Sequence, residues 1–197
     1  PKMLRFGILG AGRIGKVHAR TIGSSPKAKV AYIADAVPAA AEALAKEYGA
    51  KVASVDEIMA SKDVDAVLIG SPTGFHAEQI QAASNAGKAI MCEKPVSLDV
   101  GTIEQTLKVV EKNKSTLMIG FNRRFDPSFA ELERRIRRGD VGDLEIVTII
   151  SRDPAPPPPA YVKGSGGLFR DMTIHDFDLA RFLMGEEFVT VNALGSS

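Results

Sequence analysis

The stretch "RFGILGAGRIG", residues 5–15, decides the fold. An apolar run of strand character passes directly into G-x-G-x-x-G, made by Gly10, Gly12 and Gly15, and a helix-like segment follows. Each glycine answers a need of such a turn. Gly10 permits the sharp bend, Gly12 lets the backbone approach a pyrophosphate, and Gly15 lets helix and strand pack closely. A helix opening here turns the N–H groups of Arg13 and Ile14, and the positive end of its dipole, toward phosphate.

Asp35 closes the next apolar run, "KVAYIAD" (residues 29–35). It lies about 20 residues past the glycine loop, where a carboxylate hydrogen-bonds the adenosine ribose and repels a 2′-phosphate. The residues behind it, Ala36, Val37 and Pro38, include no arginine to receive that phosphate. NAD is therefore expected over NADP.

Outward from the loop, short apolar runs alternate with helix-like segments. "AVLIGS" (66–71), "AIMCEK" (89–94) and "TLMIGF" (116–121) read as buried parallel strands. Gly49 and Gly87 sit where helices should stop. The alternation predicts an α/β fold: a Rossmann dinucleotide-binding domain over residues 1–120. After Phe121 the pattern changes. A helix is expected within 127–142, a strand in "DLEIVTIISRD" (143–153), a stiff loop in "PAPPPPAYVKGSGG" (154–167), one helix carrying Asp171 and His175, and a last strand in "EFVTVNALG" (187–195). Residues 121–197 are thus expected to form an incomplete α+β, open-sheet second domain. With few strands its edges would stay raw and its core small. The expectation is a fragment, or edges covered by something else.

The 197 residues carry a formal net charge of +1 and are 45% hydrophobic. That balance suits a globular protein and gives no long-range attraction to nucleic acid or anionic membrane. The arginines of "RRIRR" (134–138) fit the solvent face and C-terminal end of a helix. No apolar run approaches the roughly 20 residues of a membrane helix. The single cysteine, Cys92, has no internal disulfide partner and reads as a small core residue, so a reducing cytoplasm is expected. No metal site is expected.

Alcohol oxidation by a nicotinamide enzyme needs a base for the hydroxyl proton and a positive group beside the oxygen. Lys94, in "CEKPVS", follows a strand at the sheet's carboxyl edge and is the candidate for the positive group. At the end of the preceding strand, "SPTGFH" puts Ser71, Thr73 and His76 near the expected dinucleotide.

"GAGRIG", "PTGFH", "EKP" and "GGLFRDMTIHD" together resemble the glucose–fructose oxidoreductase, inositol dehydrogenase and rhizopine catabolism (Gfo/Idh/MocA) family. "GFNRRFDP" and "SRDPAPPP" look like its myo-inositol 2-dehydrogenase branch. The resemblance implies an NAD-dependent oxidoreductase that takes a hydride from a secondary alcohol of a cyclic polyol. It implies Lys94 at the reacting centre, with Asp171 and His175 beside it. It also implies a small polyol as partner and a homo-oligomer at full length. Residues 171 and 175 are spaced i, i+4, which on one helix gives a shared face. His175, with an ordinary pKa of about 6.5, would be the base. Asp171 would orient it or bind a neighbouring hydroxyl. Asp178 reads as an outer helix contact, assisted by Arg181. Glu93 and Asn122 are placed with the cofactor, Asn122 at the nicotinamide end. Arg124 and Asp153, with Arg123, are candidates to grip the polyol. A related sugar or polyol dehydrogenase, and a non-catalytic NAD-binding sensor on the same scaffold, remain alternatives.

Overall fold

Strand formation in the first part of the chain follows its apolar runs. The computed structural model describes residues 2–195; Pro1, Ser196 and Ser197, at the ends of the two expected domains, lie outside the described residues. The chain divides into two compact units, Pro1–Gly120 and Phe121–Ser197.

The first unit holds β1 (Leu4–Leu9), α1 (Arg13–Gly23), β2 (Ala28–Ala34), α2 (Pro38–Tyr48), β3 (Lys51–Val52), α3 (Val55–Ala60), β4 (Ala66–Ile69), α4 (His76–Asn85), β5 (Ala89–Cys92), α5 (Val100–Lys112) and β6 (Leu117–Ile119). The six strands are all parallel, in the order β3-β2-β1-β4-β5-β6. The order reverses between β1 and β4, and open α/β sheets bind ligands outside the carboxyl ends of their strands at such a point.

Side chains alternate across the sheet and feed two cores. Leu9, Val67 and Ile69 pack with Ile58 of α3, Ile80 of α4 and Val110 of α5. Ile8, Ile33 and Leu68 face the other way, against Ala19 of α1 and Leu44 of α2. All of β4 is buried, which explains its unbroken apolar reading. β3 escaped the sequence reading because it is two exposed residues, Lys51 and Val52, paired to Tyr32 and Ile33. Gly49 ends α2 in the left-handed region at φ 64°, where a residue with a Cβ would be strained. Ser54 and Glu57 form a capping box on α3.

The second unit holds α6 (Pro127–Arg137), α7 (Pro159–Ser165), α8 (Leu168–Asp171) and α9 (Ile174–Met184). Asp126 caps α6 by accepting the Ser128 and Phe129 N–H groups. The arginines near its end pair along the helix, Arg135 with Glu131 and Arg137 with Glu133, each at 2.9 Å. α9 packs on α6 and on the short 3-10 turn Asn122–Phe125.

Three expectations for this unit need correction. Neither 143–153 nor 187–195 is a strand. Both have strand composition, but a strand exists through its ladder, and among the described residues of this unit none offers one. Ile146 is 81% exposed and Val189 95%. The stretch expected as a continuous loop becomes helix at Pro159, a first-turn position where proline's missing N–H is no loss. The single helix expected for Asp171 and His175 is two helices. α8 ends at Asp171 and α9 begins at Ile174, with Met172 and Thr173 turning between them. Thr173 Oγ1 donates to the Leu168 carbonyl at 3.0 Å, which fastens that turn.

Among the described residues, no helix is long and apolar enough to cross a membrane. No group of three or more His, Cys, Asp or Glu among them is arranged to hold a metal ion.

Candidate active site

At the carboxyl edge of the first unit's sheet, the glycine loop is shaped by close backbone contacts. Gly10 has φ +103°, and a Cβ there would meet the Gly70 carbonyl oxygen at 2.6 Å. A Cβ on Gly15 would come within 1.9 Å of the Gly10 carbonyl oxygen. Gly12 is different: a Cβ on it meets nothing within 4 Å. Its φ of −72° suits any residue, so neither strain nor protein packing demands glycine there. The open cradle faces an α1 N-terminus with no side-chain cap, beside Arg13 and Ile14. Backbone N–H groups and a positive dipole end then await an anion. This fits a dinucleotide pyrophosphate.

Asp35 follows β2. Its Oδ2 accepts the Ala11 N–H at 2.6 Å and its Oδ1 accepts the Val37 N–H at 2.7 Å. The carboxylate thus holds the glycine loop, and each oxygen keeps acceptor capacity for a ribose hydroxyl.

Past β4, Ser71 Oγ donates to Gln79 Oε1 at 2.7 Å, and Thr73 opens the 3-10 turn Thr73–Phe75 that leads into α4. His76, expected beside the dinucleotide, must be reassigned. It is only 2% exposed. Its Nδ1 lies 2.7 Å from the Pro95 carbonyl oxygen and its Nε2 2.8 Å from that of Ser71. Both ring nitrogens are occupied by the protein. A neutral ring donates to one carbonyl at a time, a doubly protonated ring to both.

β5 delivers Cys92, Glu93 and Lys94 to the same edge. Cys92 is fully buried, and burial pushes its thiol up, away from the reactive thiolate. Glu93 Oε1 lies 2.6 Å from His18 Nε2 of α1. Burial pushes the Glu93 carboxyl up, but the His18 contact and the Lys94 backbone N–H outweigh it, leaving the group below the ordinary glutamate range. Gly120, after β6, makes room: a Cβ there would stand 3.1 Å from the Glu93 carboxyl. Sequence reasoning missed His18, which lies in no recognisable motif, and gave no role to Gly120, the first residue of "GFNRRFDP". The Lys94–Pro95 peptide is cis. Gly10, Asp35, Ser71 and Lys94 therefore follow four different strands at one edge of the sheet.

In the second unit, Asp171 ends α8 and accepts a hydrogen bond from Tyr161 Oη at 2.8 Å. Tyr161, on α7, carried no signal in the sequence. His175 lies in the first turn of α9 and is half-buried. Asn122 opens the turn directly after Phe121. Asp178 is no outer contact. It is 4% exposed and accepts Nε and Nη2 of Arg124, at 2.8 and 2.6 Å. That bidentate pairing, with Arg124 over the Phe182 ring at 5.4 Å, gives the guanidinium a structural role in place of the expected grip on substrate. Arg123 pairs with Asp176 and donates to Ser151 Oγ at 3.1 Å. Arg181, expected to assist Asp178, pairs with Glu187 at 2.5 Å. Asp153 is exposed.

Comparison with known proteins places these features in a lineage. Residues 4–121 match the model of an oxidoreductase family with an NAD-binding Rossmann fold, and residues 129–197 match the GFO/IDH/MocA C-terminal domain. The chain is 56% identical over 190 residues to an inositol 2-dehydrogenase of Rhizobium meliloti, covering 96% of this chain and 58% of that protein. A crystal structure of a myo-inositol dehydrogenase from Corynebacterium glutamicum superposes with a TM-score of 0.88 at 46% identity, over 92% of this chain and 55% of that one. A scyllo-inositol dehydrogenase from Lactobacillus casei, solved with NAD(H) and scyllo-inositol, gives 0.79 at 35% identity, over 94% and 57%. The chain thus spans little more than half the length of these relatives.

Proposed function

The chain belongs to the GFO/IDH/MocA oxidoreductase family, and from that premise we propose that the protein carrying it moves a hydride from a secondary alcohol of a cyclic polyol, of the myo-inositol type, to NAD, leaving a ketone. One observation carries the reading furthest. The open cradle at Gly12 and the Asp35 carboxylate stand at the same sheet edge as Lys94, so cofactor and chemistry have a common floor.

In this reading Gly12, Arg13 and Ile14 hold the pyrophosphate and Asp35 the adenosine ribose. Ser71, Thr73, Glu93 and Asn122 lie along the rest of the dinucleotide. When bound, NAD supplies the hydride acceptor. Lys94 stabilises the substrate oxygen as it gains alkoxide character. His175 takes the hydroxyl proton on a ring nitrogen as the C–H bond breaks and the C=O bond forms. Asp171, fastened by Tyr161, orients the imidazole or binds an adjacent hydroxyl, and Asp153 contributes to substrate binding. The family resemblance extends the reading to a cytoplasmic homo-oligomer.

The test is NADH formation across a panel of inositols and aldoses, with NAD and NADP compared. Turnover of a cyclic polyol with NAD supports the reading. Tight NAD binding with no turnover of any member would replace it with a sensor.

A further inference from the structure

We infer that His76 is a positioning residue for Lys94, acting through the backbone segments that follow β4 and β5. The inference rests on the proposed role of Lys94.

The sheet guides the chain only as far as Glu93, whose N–H donates to the Ile69 carbonyl at 2.9 Å. Beyond that bond the backbone flanking Lys94 is held on both sides. On one side, the Glu93 carboxylate draws on the Lys94 N–H and is itself anchored at 2.6 Å to His18. On the other, the Pro95 carbonyl is held at 2.7 Å by His76 Nδ1. The same ring reaches the Ser71 carbonyl at 2.8 Å through Nε2. One imidazole therefore ties the segment after β5 to the segment after β4.

The tie has a firm base. His76 opens α4, whose Ala77, Ile80 and Ala83 are buried. Gln79, almost one turn later, holds Ser71 by its hydroxyl at 2.7 Å. The first turn of α4 thus fixes both loops. A buried polar ring is costly unless bonded, and a leucine would fill the volume without that cost. The use of a histidine marks the two carbonyls as the purpose. Positioning groups of this kind matter because a misplacement of about 1 Å at a reacting group can lower a rate by about 10²-fold.

The test uses His76→Leu and His76→Gln in the protein carrying this chain. Leucine keeps bulk and loses both ring nitrogens, whereas glutamine keeps an NH₂ donor. NAD affinity, kcat, KM for the polyol, melting temperature and the ¹³C resonance of reductively methylated Lys94 are measured on each. The expected result for His76→Leu is a kcat lower by about 10²-fold, with NAD affinity and polyol KM nearly unchanged and a displaced Lys94 resonance. His76→Gln should recover part of both the rate and the resonance. A folded His76→Leu protein with an unmoved Lys94 resonance and unchanged kcat would overturn the inference. So would a rate loss explained entirely by weaker NAD binding. If His76→Leu does not fold, the decision passes to His76→Gln, where an unmoved resonance together with lost rate overturns it. Lys94→Ala separates the two readings. Retained kcat there removes the proposed role of Lys94, while the resonance still reports whether His76 positions it.

Discussion

Asp35 Oδ2 accepts the Ala11 backbone N–H at 2.6 Å, so the carboxylate at the end of β2 also fixes the loop that receives the pyrophosphate. Replacing it should therefore do more than change cofactor preference. Asp35→Ser combined with Ala36→Arg should weaken NAD binding by about 10- to 100-fold, the worth of a charge-assisted hydrogen bond. The same protein should bind NADP better than the parent does. Competition titration of the two cofactors checks both, and full retention of NAD selectivity would remove Asp35 from the ribose site.

Gly12 and Gly15 should respond in opposite ways to alanine. At Gly15 the new methyl would sit 1.9 Å from the Gly10 carbonyl oxygen, and the backbone would have to yield. Gly15→Ala should lower stability by about 1–3 kcal/mol, the range for overpacking. At Gly12 the methyl meets no protein atom within 4 Å. Gly12→Ala should leave stability within about 0.5 kcal/mol while reducing NAD affinity, because it fills the cradle. Thermal melts with and without NAD separate the two effects.

Acid sensitivity should trace to the opposite edge of the sheet. Asp65 accepts the Arg5 backbone N–H, Nε and Nη2, and Lys2 Nζ, all within 3.1 Å. The Arg5 side chain, foremost among these, holds the carboxyl far below the usual aspartate range. A depressed folded pKa stabilises above the unfolded value, about 3.9, and that contribution is lost as pH falls from there toward the folded value. Asp65→Asn should thus cost about 1–2 kcal/mol at neutral pH, and the penalty should shrink below about pH 3.9. Denaturant unfolding at several pH values measures it. An equal penalty at acid and neutral pH would contradict the assignment.

The first unit was legible because its signals are local. "RFGILGAGRIG" contains its own strand, turn and helix start, and β4 announces itself as four buried apolar residues. What stayed hidden depends on partners distant in sequence. β3 exists because Tyr32 and Ile33 pair with Lys51 and Val52, a stretch too short to show a strand pattern of its own. His76 looks like a surface ligand until the Pro95 carbonyl, 19 residues on, comes to meet it. Residues 143–153 and 187–195 show the converse, strand composition with no ladder to join. The break between Asp171 and His175 carries neither proline nor glycine, and its fastening, Thr173 to Leu168, is a tertiary detail of one turn. Asp178 was misjudged for the same reason, since Arg124 lies 54 residues before it.

The central claim is the proposed chemistry, in which Lys94 stabilises the substrate oxygen and His175 takes its proton. Single-turnover and steady-state NADH formation by the Lys94→Ala, His175→Ala and double variants tests it most directly. Each single change should lower kcat by about 10²- to 10⁴-fold with NAD affinity preserved. Lys94→Arg should not restore the rate, because a planar guanidinium does not replace a compact ammonium. The double variant should lose less than the product of the single losses, as groups acting together do. A folded, NAD-binding His175→Ala protein with unchanged kcat would contradict the claim.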